Sequence, residues 1–173
     1  MVDLTSPFPT SGRVGEGASS TATPSPNSSH KWEGSLLRFR DDEPHDEPAV
    51  TLDSFIGQSN AAAVRLEAGD DARALLPQID QLALIEVSFP GYRDGRGYSS
   101  ARILREAGYT GELRAQGDVL VDQIPLMRRC GFDSFAPQAP IDIDVLRASL
   151  ERYDTPYQKA ADGAVPVWKL RHG

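Results

Sequence analysis

The stretch Asp94-Gly95-Arg96-Gly97-Tyr98-Ser99-Ser100-Ala101-Arg102 concentrates two guanidiniums, a phenol, two hydroxyls and a carboxylate. The apolar run Leu82 to Phe89 precedes it and an amphipathic helical pattern follows, so it reads as a loop that opens a helix. Backbone N–H groups at a helix N-terminus, together with arginine side chains, can hold an anion. Arg96 is the best ligand on offer, because its guanidinium is always charged and binds bidentately. The plainer reading pairs it with Asp94 or another acid of the loop. Ser99 or Ser100 reads first as the N-cap of the helix and second as a ligand contact. Tyr98 is either a hydrogen-bonding wall of a pocket or an aromatic anchor for the loop.

Other charged groups lie further along. Arg102 and Arg105 fall three apart on one side of a helix, where solvated or salt-bridged surface is the ordinary reading. Arg114 projects from mid-strand and needs a partner; Glu86 on the neighbouring strand is the obvious one. Asp118 and Asp122 can be read as a carboxylate pair working with Arg114, and Asp118 equally as a helix cap. Cys130 falls at a helix C-terminus, where the dipole disfavours a thiolate, and reads as a small buried residue. His30, His45 and His172 lie in tails or loops, which argues against a histidine-based triad or metal site; no metal site is expected. Gly95-Arg-Gly97-Tyr-Ser-Ser100 nearly matches the dinucleotide pattern G-x-G-x-x-G/A, with Asp118 following. Its third position is Ser, however, and the helix is expected to begin after the pattern, so a nicotinamide or flavin site is disfavoured. No cofactor is evident.

Composition narrows the classes. A chain of 173 residues with net charge −7 has no general affinity for nucleic acid or anionic membranes. The single cysteine excludes intramolecular disulfides and multi-cysteine zinc or iron–sulfur sites. No apolar run approaches the roughly 20 residues that span a bilayer, and Met1 to Lys31 has neither the basic start nor the apolar core of a secretory signal. The expectation is a soluble cytoplasmic protein.

These residues are positioned by a simple succession of elements. Residues 1–31, rich in Ser, Thr, Pro and Gly, are expected to be a disordered tail. Residues 32–60 read as an N-terminal extension: a strand over Ser35 to Arg40, an acidic loop from Asp41 to Glu47, then a strand or helical turn from Val50 to Ile56. A core domain of βα repeats follows over 61–158, with a tail over 159–173. Strands are predicted over Ala62 to Glu67, Leu82 to Phe89, Glu112 to Gln116 and Ser134 to Ala136. Helices are predicted over Asp70 to Ile79, Ser99 to Ala107, Val119 to Cys130 and Ile143 to Tyr153, two of them closed by the glycine caps Gly108 and Gly131.

The strands alternate rather than running continuously apolar. Val64 and Leu66 alternate with Arg65 and Glu67; Ile85 and Val87 with Leu84, Glu86 and Ser88; Leu113 and Ala115 with Glu112, Arg114 and Gln116. Period-two alternation puts the polar set of each strand on one sheet face, so the helices should cover the other face only. Crossovers of one hand then build strands in sequential order. The predicted fold is α/β, with serial βα units forming an open parallel sheet, helices on one face, half-TIM-barrel-like. Its open edge or polar face invites a homodimer or a partner protein.

Phe89-Pro90, Asp94-Gly95-Arg96-Gly97-Tyr98-Ser99-x-Ala101-Arg102-x-Leu104-Arg105, Gly111-Glu112-Leu113-Arg114-Ala115-x-Gly117-Asp118-Val119-Leu120-x-Asp122-Gln123 and Arg129-Cys130-Gly131-Phe132-Asp133-x-Phe135 together resemble a bacterial family of unknown function. Its members are described as oxidoreductases associated with sulfite reduction and are encoded beside assimilatory sulfite reductase. The resemblance runs from Val64 to Gln158, with the leader and the tail after Gln158 outside it. It implies a place in sulfur assimilation and sulfite reductase as a partner, and carries over no catalytic residue. One cysteine and no core histidine leave no usual ligand set for a siroheme or iron–sulfur centre.

The leading expectation is therefore an accessory protein of assimilatory sulfite reduction rather than its redox centre. Arg96, Arg102 and Arg114 would form an oxyanion- or partner-binding face oriented by Asp94, Asp118 and Asp122, with Tyr98 and Ser99 in the same candidate set. The rival is a small-molecule enzyme holding a phosphorylated or carboxylated anionic ligand at the strand ends, with Arg96 and Arg114 converging on one point. A third reading is a structural half-barrel that dimerises through its polar face.

Overall fold

The computed structural model describes residues 32–33, 36–58, 60–153 and 155–171. The expected tail over 1–31 lies outside them. Among the described residues seven strands form one sheet: β1 (Trp32–Glu33), β2 (Leu36–Arg38), β3 (Val50–Thr51), β4 (Ala63–Leu66), β5 (Leu84–Phe89), β6 (Glu112–Gly117) and β7 (Ser134–Pro137). They lie in the order β1-β2-β7-β6-β5-β4-β3. β3 through β7 are parallel and sequential, while β2 is antiparallel to β7 and β1 to β2. The sheet is open, running from β1 at one edge to β3 at the other.

The helices α1 (Leu52–Gln58), α2 (Arg96–Glu106), α3 (Ile124–Cys130) and α4 (Ile143–Leu150), with the 3-10 helix Ala72–Gln81, pack on the apolar face. Leu52, Phe55, Leu75, Ala101, Leu104, Ile124, Met127 and Leu146 join one core with Val64, Ile85, Val87, Phe89, Leu113 and Phe135. A terminal turn, α5 (Val167–Leu170), closes the described chain.

Three elements depart from expectation, each for a local reason. Asp70 to Ile79 is a 3-10 helix shifted to Ala72–Gln81, because Pro77 withholds an N–H and Gln78 leaves helical geometry. α3 starts at Ile124 rather than Val119, since residues 118–123 are spent on a loop that bonds back to Tyr92. α2 starts at Arg96 rather than Ser99, with Gly95 as its N-cap, and the Asp94 carboxylate accepts the N–H of its first residue.

The short strands between 32 and 60 join the sheet on both of its sides. β2 pairs with β7 and β3 with β4, so 39–49 must travel from one side of the sheet to the other. Five strand spacings amount to roughly 24 Å, which 11 or so extended residues can reach. The route runs over the polar face: Arg114 Nη2, on that face, donates to the His45 carbonyl. This acidic strap crosses part of the face that the sequence leaves open.

Candidate functional site

Two places gather the charged residues. One is the rim at the carboxyl ends of the strands. Asp94 Oδ1 accepts from the Arg96 backbone N–H at 3.1 Å and from its Nε at 2.9 Å, and Oδ2 lies 2.6 Å from Arg96 Nη2. Those bonds to Arg96 hold the Asp94 carboxyl at about 2, below the usual carboxylate range. Arg96 is therefore a partner of its own loop, the plainer of its two sequence readings. Its guanidinium also reaches the turn at Gly69, where an added Cβ would meet Nη1 at 3.3 Å.

Tyr98 sets its ring edge-on to Phe89, with centroids 5.8 Å apart. It is the aromatic anchor of its two readings, and burial pushes its phenol up, with Cys130 and Asp122 adding to the effect. Ser99 is exposed on the first turn of α2, and the Ser100 hydroxyl donates to the Arg96 carbonyl at 3.5 Å. Neither is the N-cap, which is Gly95. The helix does begin inside the near-dinucleotide pattern, contrary to expectation. The close approach at Gly97 is taken up by protein, since a Cβ there would lie 2.5 Å from the Phe89 ring.

Asp118 caps no helix. Its Oδ2 accepts the Tyr92 N–H at 2.9 Å, and Gln123 Nε2 donates to the Tyr92 carbonyl at 2.7 Å, so two neighbouring loops are laced together. Asp122 is exposed at the start of α3. The two carboxylates do not meet Arg114. As a whole the rim is acidic: Glu67, Asp70, Asp94, Asp118 and Asp122 stand against Arg93 and Arg96.

The second place is the polar face beneath the strap. Arg65, Glu86, Arg114, Glu112 and Arg38 alternate in sign across β4, β5, β6 and β2. Arg65 Nη2 lies 2.8 Å from Glu86 Oε2, Arg114 Nη1 3.2 Å from Glu86 Oε1, Arg114 Nη2 2.7 Å from Glu112 Oε1, and Arg38 Nη2 3.1 Å from Glu112 Oε2. The Ser134 hydroxyl donates to Glu112 Oε1 at 2.6 Å. Glu86, Glu112 and Arg38 are buried. Burial works to raise the Glu112 carboxyl, and Ser134, Arg114 and Arg38 outweigh it, so its pKa falls below the ordinary value.

Arg114 thus pairs with Glu86 as the cross-strand reading anticipates, and also with Glu112. It sits on the polar face, whereas Arg102 is exposed on α2 in the helix layer, paired with Glu106 at 2.7 Å. The sheet lies between them. Arg96, Arg102 and Arg114 form no common face, and Arg96 and Arg114 each bond their own carboxylates. Period-two spacing marked these polar residues; that Arg38 joins them was legible only once β2 was placed beside β7.

The sequence reads Arg105, with Arg102, as solvated or salt-bridged surface, and the structure makes it a salt-bridged clamp. At the amino ends of the strands it donates to the carbonyls of Gly131, Tyr109 and Gly111 and pairs with Asp133 at 2.6 Å; Arg40 reaches the same carboxylate at 2.8 Å. Its alternation of apolar and cationic character along α2 gave no sign of this. Among the described residues no group of three His, Cys, Asp or Glu side chains is placed to hold a metal ion, and no helix is long and apolar enough to cross a membrane.

The fold and its two charged clusters define an open, mostly parallel α/β protein with helices on one face and a self-neutralised ionic ladder on the other. The chain belongs to a bacterial family, described as bacterial protein of unknown function (DUF934), which it matches over residues 63–168. The match runs past Gln158 and takes in most of the tail set apart in the sequence reading. No curated protein and no solved structure matches the chain.

Proposed function

We propose that this chain is an accessory protein of assimilatory sulfite reduction that acts by contact with the reductase and is not its redox centre. The link to sulfite reduction rests on the resemblance carried by Asp94 to Arg102, Gly111 to Gln123 and Arg129 to Phe135. Of the two modes left open, oxyanion binding or reductase binding, the second is favoured by one observation. Arg96, Arg102 and Arg114 are each neutralised by carboxylates of the same chain and lie on different surfaces. An oxyanion would have to displace those carboxylates, at a rim that already carries excess negative charge. The same observation counts against the rival small-molecule enzyme, whose two arginines would have to converge.

The test is co-purification with tagged sulfite reductase from the native host, together with deletion of the gene. Association with the reductase and poor growth on sulfate, rescued by cysteine, are expected. Normal growth on sulfate after deletion would sink the reading.

A further inference from the structure

Among the described residues of 152–171 only Pro166 is buried, so this segment adds little to the core. It is nonetheless held in place. Arg129 Nε pairs with Asp162 Oδ2 at 2.9 Å, the Ala161 N–H donates to the Arg129 carbonyl at 2.9 Å, and the Val167 N–H donates to the Pro156 carbonyl at 2.8 Å. The last bond sets α5 beside the backbone next to Tyr157. What the segment displays is apolar and aromatic: Tyr157 is 73% exposed, Leu170 61% and Trp168 45%. A fixed segment that exposes such side chains outside the core is shaped by something other than packing. The family match nevertheless runs through it to residue 168.

Its charge is opposite to that of the molecule. The stretch 152–171 carries Arg152, Lys159, Lys169 and Arg171 against Asp154 and Asp162, in a chain whose net charge is −7. Asp162 is already engaged by Arg129, and Lys169 lies over the Trp168 ring at 5.8 Å. Aromatic residues interleaved in the sequence with cations are the composition of protein-binding hot spots with a charged rim.

We propose that Tyr157, Trp168 and Leu170, flanked by Lys159, Lys169 and Arg171, form a docking surface for an acidic protein surface with an apolar recess. This rests on the proposed contact with the reductase and names the part of the chain that makes it. The aromatic residues supply the buried centre of the contact, and the cations select an acidic partner and speed the encounter.

The test titrates the full chain into purified sulfite reductase at low and physiological salt. The variants are Y157A/W168A, the charge reversal K159E/K169E, and R73A as a surface control, since Arg73 pairs only with the exposed Asp71 on the 3-10 helix; circular dichroism checks that each is folded. Y157A/W168A should bind about 30-fold more weakly or worse, the loss expected for truncated aromatic hot spots. K159E/K169E should bind more slowly and lose most of the salt dependence, while R73A should match the parent chain. Parent-like binding by both segment variants overturns this surface and leaves the proposed function standing. Failure of the parent chain to bind overturns both. Concentration-dependent self-association that disappears in the segment variants makes a second copy the occupant, and overturns the acidic partner.

Discussion

Arg114 and Glu86 meet across neighbouring parallel strands, directly paired in register, with Nη1 and Oε1 3.2 Å apart on the sheet face that carries no helices. Neither is alone there. Glu86 is shared with Arg65 and Arg114 with Glu112, so each charge has opposite charges on both sides. Such a ladder is tolerable at low exposure because nearly every charge is compensated by a hydrogen-bonded counter-charge. The strap over 39–49 then excludes water from part of it.

The first prediction concerns that coupling. Glu86→Gln and Arg114→Met should each destabilise the chain by about 3–5 kcal/mol, the usual cost of removing one partner of a buried pair. The double variant should cost less than the sum of the two, because the Glu86–Arg114 interaction that each single variant removes is then lost only once. Urea unfolding of all four proteins measures this, and strict additivity would show the two residues to be uncoupled.

Glu112 makes a prediction in pH. Its folded-state pKa lies below the ordinary carboxylate value, so its contribution is fully present above the unfolded pKa of about 4.3. It is lost as pH falls through the lower folded value. Glu112→Gln should therefore lower stability near neutral pH and flatten the decline between about pH 4.3 and the acid limit. An unchanged acid limb in urea melts at several pH values would count against the role given to Glu112.

Gly117 ends β6 with φ of +110°, and a Cβ there would lie 2.3 Å from the Phe89 carbonyl oxygen. That oxygen also accepts the Asp118 N–H at 2.8 Å. Gly117→Ala combines an unfavourable dihedral with a backbone clash, and should cost about 2–3 kcal/mol. Hydrogen exchange should speed up at Asp118 and Tyr92 well before the rest of the sheet opens, because the Tyr92 N–H bonds the Asp118 carboxylate.

Two arginines three apart on α2 should respond in opposite ways. Arg105→Met removes four bonds that tie α2 to the Tyr109, Gly111 and Gly131 turns and to Asp133, and should cost about 3 kcal/mol. Arg102→Ala breaks one exposed pair with Glu106 and should leave the thermal midpoint unchanged. Equal effects in thermal melts would show that Arg105 is no more a clamp than Arg102.

Strand periodicity laid out the core. Alternating polar and apolar residues in Val64 to Glu67, Leu82 to Phe89 and Glu112 to Gln116 placed the helices on one face, because side-chain direction in a strand reverses at every residue. It also marked Glu86 as the partner of Arg114, since adjacent strands on a polar face leave few other choices. Boundaries moved where a single side chain intervened: the Asp94 carboxylate accepts the N–H of Arg96, the first residue of α2, and Pro77 turned a helix into a 3-10 segment.

The tertiary structure alone decided what Asp94 to Arg102 is for locally. A loop rich in charge reads as open to a ligand until its partners are known, and Asp94 consumes Arg96 while Phe89 receives Tyr98 and Gly97. It also decided that β2 lies against β7, which brings Arg38 to a carboxylate 74 positions away and carries the strap across the polar face. Local periodicity records which way a side chain points. Which groups it meets depends on chain closure over long separations, and no short window of residues contains that.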